Sequence, residues 1–229
     1  MGYLIITVIF TLIGTFIQNK LRSKFEEYSQ VGLRNGKSGK EVAEDMLKYY
    51  GIHDVQVVSV EGHLTDHYNP QNKTVNLSSN VYASNSIAAA AVAAHECGHA
   101  VQHATAYPML QLRSSIVPIV NIAASLQQYL LMFAIGMFGA QGNTTILLIT
   151  IIVFGVTTAF SLITLPVEFD ASNRALSWLT TSNYAVGSEY DGAKDALKWA
   201  ALTYVVAALS AFVTLLYLVF KFMGSRSND

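Results

Sequence analysis

The chain has 229 residues, of which 13% are charged and 52% hydrophobic, with a net charge of −1 and a mean hydropathy of +0.37. A soluble globular domain carries about twice that share of charge. The near-neutral balance offers no basic surface for nucleic acid, and the single cysteine, Cys97, excludes an intramolecular disulfide framework.

The few charges are unevenly placed. None precedes Lys20, none lies between Arg113 and Glu168, and none lies between Lys198 and Lys221. A helix needs about 20 apolar residues to cross the hydrocarbon core of a bilayer. The first and last gaps fit one crossing each, and the middle gap fits two, divided at Gly139-Ala140-Gln141-Gly142-Asn143-Thr144. The spacing therefore predicts four spans, near 2–18, 116–138, 145–165 and 200–220. The stretch Thr145 to Leu165 is apolar on every face, which favours lipid over the core of a soluble protein. The first span has no basic leader and no A-x-A site, so it reads as an uncleaved anchor.

Lys20, Arg22 and Lys24 follow the first span, and Arg34, Lys37, Lys40 and Lys48 add to that flank. The positive-inside rule places residues 20–113 in the cytoplasm and the N-terminus outside. Lys221 and Arg226 then fall outside. An even number of spans separates His95 from Glu168, so the two share a side in either orientation.

The expected organisation is an anchor at 1–19, a cytoplasmic α+β region at 20–113, a two-span hairpin at 114–165, cytoplasmic helices at 166–199, and a last span with its tail at 200–229. The fold class is a mostly α membrane protein, with about four transmembrane helices and a small α+β domain. Ser38-Gly39-Lys40-Glu41 matches a capping box. Val42, Met46, Leu47 and Tyr50 then recur at helical spacing up to Gly51, a helix stop. Val55 to Val60 and Thr74 to Ser78 read as strands, with a turn at Pro70 to Lys73. The alanine-rich segment Ile87 to Thr105 reads as a helix. Pro166 suits the start of another helix, and Asp191 to Trp199 leads helically into the last span.

The alanine-rich helix carries His95-Glu96-Cys97-Gly98-His99, an H-E-x-x-H pattern. A spacing of four puts both imidazoles on one helix face, where they can share one zinc ion. Glu96 sits beside the first ligand as general base for a zinc-activated water. A catalytic zinc site takes three protein ligands. His103 lies eight residues beyond His95, about 12 Å along the same helix, and is out of reach of that ion. Glu168, just past the third span, is the favoured third ligand, and Asp170 is the alternative. Cys97 projects to another face and reads as a small buried residue. Asp66 and His67 read as turn or supporting groups, with oxyanion binding a further role for His67. Tyr184, Tyr190 and Arg174 are remote candidates for the same task.

Leu64-Thr65-Asp66-His67-Tyr68, the run from Val92 to Gln102 around His95 and His99, and Glu168-Phe169-Asp170-Ala171-Ser172 carry a resemblance that covers nearly the whole chain. The sequence resembles the YugP-type bacterial membrane zinc metallopeptidases and, more distantly, the HtpX-type membrane metallopeptidases. The second likeness implies a cytoplasm-facing zincin-like site whose third ligand comes from a Glu-x-x-Ala-Asp motif. Glu168 and Ala171 match that motif, but Ser172 replaces its aspartate, so Ser172 or Asp170 would have to support a ligating histidine. By resemblance to zincins, Thr74 to Ser78 is either the edge strand that pairs with an extended substrate or an ordinary hairpin strand.

The reading is an integral-membrane zinc metalloendopeptidase with one catalytic ion. It acts on a peptide or membrane-protein substrate, with the bilayer as its other partner and no nucleic acid. The alternative is an inactive metal-binding membrane scaffold or chaperone, although such a protein has no need of Glu96. A metal transporter would place ionisable residues inside the bilayer, and the four expected spans hold none.

Overall fold

A computed structural model describes residues 2–62, 64–133 and 144–226. In chain order the elements are α1 (Gly2–Ser29), α2 (Gly39–Tyr49), β1 (Gln56–Val60), β2 (His67–Asn69), β3 (Thr74–Ser78), α3 (Ser79–Ala83), α4 (Ile87–Ala104), α5 (Pro108–Met132), α6 (Thr144–Thr181) and α7 (Ser188–Arg226). Helices α1, α5, α6 and α7 are long and apolar enough to cross a membrane. They correspond to the four expected spans in the three uncharged stretches, and the protein is a mostly α membrane protein with a small α+β part. The dividing turn expected at 139–144 lies outside the described residues except for Thr144, where α6 begins.

One expected boundary is corrected. Pro166 does not open a helix but lies inside α6, which runs through it without a break. Proline removes one backbone donor, and a helix with long flanks on both sides tolerates that loss.

The chain divides into two compact units. The first comprises residues 1–16, 112–165 and 203–229. Its interior centres on Leu147, Phe154 and Leu218, packed by Leu131, Ile151, Leu215 and Tyr217. The Thr157 hydroxyl of α6 donates to Gln127 Oε1 of α5 at 2.7 Å, a pairing that meets the need for hydrogen-bond partners in hydrocarbon. Leu4, Leu12, Ile122, Ile152 and Phe220 are exposed, as suits side chains that face lipid.

The second unit comprises residues 17–111 and 166–202. Helix α2 starts with the expected capping box. Ser38 Oγ accepts from Glu41 N at 3.3 Å, and the Glu41 carboxylate accepts from Ser38 N at 2.8 Å. Gly51 ends the helix region at φ +68°, a conformation that glycine adopts freely. Val42, Ala43 and Met46 of α2 are fully buried, as are Val75 and Leu77 of β3. Each of the larger side chains contributes about 1.5–3 kcal/mol by leaving water.

The sheet has the order β1-β3-β2, with β1 parallel and β2 antiparallel to β3. Strand β3 is therefore central, and the edge-strand reading of Thr74 to Ser78 is wrong. With both Val75 and Leu77 fully buried, it is the strand best suited to the middle of the sheet. The sheet edges belong to β1 and β2. Asp66 fastens the start of β2 by accepting from Ser78 N at 2.7 Å.

Helix α4 is capped by Ser86, whose hydroxyl accepts from Ala89 N at 3.2 Å. Its alanines let neighbours pack close. At Gly98 the approach is closest, for a Cβ there would sit 2.5 Å from the Ala171 carbonyl oxygen of α6. Residues 166–202 are held further by three polar ties. Tyr28 OH donates to Asp195 Oδ2 at 2.9 Å, Arg34 N donates to Glu189 Oε1 at 2.7 Å, and Tyr184 OH donates to Asp45.

Two outcomes are expected. Gly98→Ala forces α4 and α6 apart and lowers stability by about 1–3 kcal/mol, read as a fall in the thermal midpoint in detergent. Ser38→Ala costs about 1 kcal/mol through the lost cap. The hydrogen bonds from Ser38, backbone first and side chain second, hold the Glu41 pKa below its usual value. The half of the capping box made by the Glu41 carboxylate is therefore complete above the ordinary carboxylate pKa and is lost as pH falls through the folded value, whereas the bond from Glu41 N to Ser38 Oγ does not titrate.

Candidate metal and catalytic centre

His95, Glu96 and His99 project from α4, and Glu168 comes from α6 two residues past Pro166. The i, i+4 spacing stacks the two imidazoles on one face, with ring centroids 4.9 Å apart and planes at 85°. Glu168 Oε2 lies 3.4 Å from His95 Nε2 and 3.6 Å from His99 Nε2. Candidate ligand atoms of these three residues all lie within 4.8 Å of one another.

The Glu168 side chain is 5% exposed. Its Oε2 is buried and has no hydrogen-bond partner. Both histidine distances exceed the 2.7–3.2 Å of an ordinary N–H···O bond. An orphaned buried carboxylate oxygen is costly, and a cation shared with the two imidazoles removes that cost. The donor set of two nitrogens and one carboxylate oxygen is one that zinc takes. Burial alone would make the His99 imidazole harder to protonate, but the Glu168 and Glu96 carboxylates outweigh burial and raise its pKa. The same excess of negative charge favours a cation at this point.

Each of the two imidazoles is braced at its other nitrogen. His95 Nδ1 lies 3.1 Å from Ser172 Oγ, and His99 Nδ1 lies 3.0 Å from Gln102 Oε1. Asp170 does not join the cluster. Its Oδ2 accepts from Gln102 Nε2 at 2.8 Å and from Arg174 Nε at 2.6 Å. Of the two residues expected to replace the missing aspartate, Ser172 therefore reaches a histidine directly, and Asp170 meets Gln102 instead. In the sequence Gln102 closes the run that carries the family resemblance, and its spacing of three from His99 puts both on one helix face, but neither feature singles it out.

Glu96 is buried, and its Oε2 accepts from the backbone N–H of Tyr68 at 2.9 Å. The edge strand β2 thus holds the orientation of this carboxylate. The Tyr68 hydroxyl meets His103 Nδ1 at 2.7 Å, so His103 ties β2 to α4, away from the three-residue cluster. His67 is exposed, and its Nδ1 lies 2.8 Å from the Thr65 carbonyl oxygen. Asp66 is spent on Ser78. Tyr184 donates to Asp45, and Lys194 lies 5.9 Å from the centre of the Tyr190 ring. Neither tyrosine, nor Arg174 in its pair with Asp170, belongs to the three-residue cluster. Cys97 is buried, with its Sγ 3.5 Å from the Ala43 carbonyl oxygen. Burial pushes its thiol well above the usual pKa, so it stays neutral.

The chain is 40% identical over 229 residues to the "Putative membrane protease YugP" of Bacillus subtilis (strain 168), covering all of both chains. No solved structure matches it. The model of the family described as "Putative neutral zinc metallopeptidase" matches residues 3–223, and the chain belongs to that family.

Proposed function

We propose that the protein is a membrane-bound zinc metalloendopeptidase in which His95, His99 and Glu168 hold one zinc ion and Glu96 is the general base. The observation that carries this reading is the Glu168 Oε2 atom, buried without a hydrogen-bond partner and facing two imidazole nitrogens. Family membership and the full-length likeness to a membrane protease support the same reading. Zinc held by these residues would polarise the scissile carbonyl and acidify water.

The remaining work falls to the chain's own groups. The Tyr68 amide holds Glu96 Oε2 and leaves Oε1 to take a proton. Glu96 removes one proton from the attacking water as the new C–O bond forms. It returns that proton to the amine nitrogen as the C–N bond breaks, so the carboxylate is regenerated. The substrate is a peptide segment presented beside the bilayer. Glu168 lies three residues past Leu165, the end of the expected third span, and the positive-inside argument assigns the site to the cytoplasmic side.

Zinc counted by mass spectrometry on protein purified in detergent tests the ligand set. About one zinc per wild-type chain is expected, lost in His99→Ala and Glu168→Ala and retained in Asp170→Ala and Glu96→Gln. Folded wild type without zinc would refute the assignment and favour a scaffold. Glu96→Gln should also lower peptide cleavage by at least 100-fold, the scale of a lost general base. Undiminished cleavage by pure Glu96→Gln protein would remove Glu96 from that role.

A further inference from the structure

Gln102 stands behind His99 in an arrangement with one consistent hydrogen-bond assignment. The side chain is wholly buried. Its Nε2 lies 2.7 Å from the Val167 carbonyl oxygen and 2.8 Å from Asp170 Oδ2. Both of those atoms can only accept, so both amide hydrogens of Gln102 are committed to them. Turning the amide over would set its oxygen against two acceptors and leave both unsatisfied in a buried place. Gln102 Oε1 must therefore face His99, and an oxygen can pair with His99 Nδ1 only when that nitrogen carries the hydrogen. Arg174 Nε donates to the same Asp170 Oδ2 at 2.6 Å and holds the far end of the chain.

We propose that Gln102 is a positioning residue that keeps a hydrogen on His99 Nδ1 through Asp170 and Arg174, and so reserves Nε2 as the nitrogen that a cation can bind. The proposal rests on the zinc reading above for its consequence but not for its geometry. The two imidazoles are supported differently. His95 meets a serine hydroxyl, whereas His99 meets an amide whose orientation the half-buried Asp170 carboxylate and the Val167 carbonyl dictate. The Asp170 charge reaches His99 through the polarised amide, and partners of this kind raise ligand basicity. A free imidazole divides between two tautomers, and only one of them offers Nε2 as an acceptor. Fixing it in advance saves that selection on each binding event.

The test uses full-length protein in detergent with 15N-labelled histidine, and the His99 resonances are assigned by their loss in His99→Ala. Zinc-free wild type is expected to show a protonated His99 Nδ1. An unprotonated Nδ1 there would overturn the proposal whether or not the protein binds zinc. Zinc affinity is then measured by competition with a chelator. Gln102→Leu should bind zinc about 10–100-fold more weakly. Asp170→Asn, which keeps an oxygen to accept from the Gln102 amide, should stay within a few fold of wild type. Wild-type affinity in folded Gln102→Leu would refute the proposal, as would equal losses in both variants together with equal falls in thermal midpoint. If Gln102→Leu does not fold, the wild-type Nδ1 proton decides the matter. Wild type that binds no zinc but shows the expected Nδ1 proton would defeat the zinc reading and leave the positioning role of Gln102 intact.

Discussion

The close approach of α4 to α6 at Gly98 and Ala171 is the constraint on which the centre depends. Helix axes pack 8–10 Å apart, at a distance set by the side chains between them. With no side chain at Gly98, the α6 backbone comes within reach of a position that any Cβ would occupy. Gly98 lies between His95 and His99 in the motif, and Ala171 lies between Glu168 and Ser172. The contact that brings the helices together is thus flanked on both sides by the groups that must meet. Glu168 faces the imidazoles on one side of it, and Ser172 reaches His95 on the other. Gln102 reaches the Val167 carbonyl of α6 in the same seam.

Around that seam, polar groups are paired. Buried Ser172 and Gln102 each meet one imidazole, and half-buried Asp170 and Arg174 pair with each other and, through Asp170, with Gln102. Glu168 Oε2 has no such partner, and an unpaired buried carboxylate oxygen facing two imidazole nitrogens points to a cation. Glu96 belongs to a separate layer. It is held from the sheet side by the Tyr68 amide, so its aim depends on β2 and, through Asp66 and Ser78, on the end of β3.

Much of this was legible in the residue order because it is local. Uncharged runs mark the long helices, since lipid rejects charge over a fixed thickness. The capping box at Ser38 and Glu41 and the helical repeat of Val42, Met46 and Leu47 appear as expected. Pro166 misled because a local preference for helix starts gave way to an otherwise continuous helix. Strand β3 misled because edge and centre are properties of the whole sheet, and Thr74 to Ser78 carries no sign of its parallel partner β1.

The sequence by itself determined the membrane spans, the shared side of His95 and Glu168, and the pairing of His95 with His99, because each follows from chain distance and periodicity. Only the tertiary structure decided that Glu168 faces the imidazoles while Asp170, two residues on, turns away to Gln102 and Arg174. The two carboxylates are near neighbours in the chain, and no spacing rule separates them. They part because successive residues on a helix point about 100° apart, and which direction meets α4 is set by where Gly98 lets α6 come close.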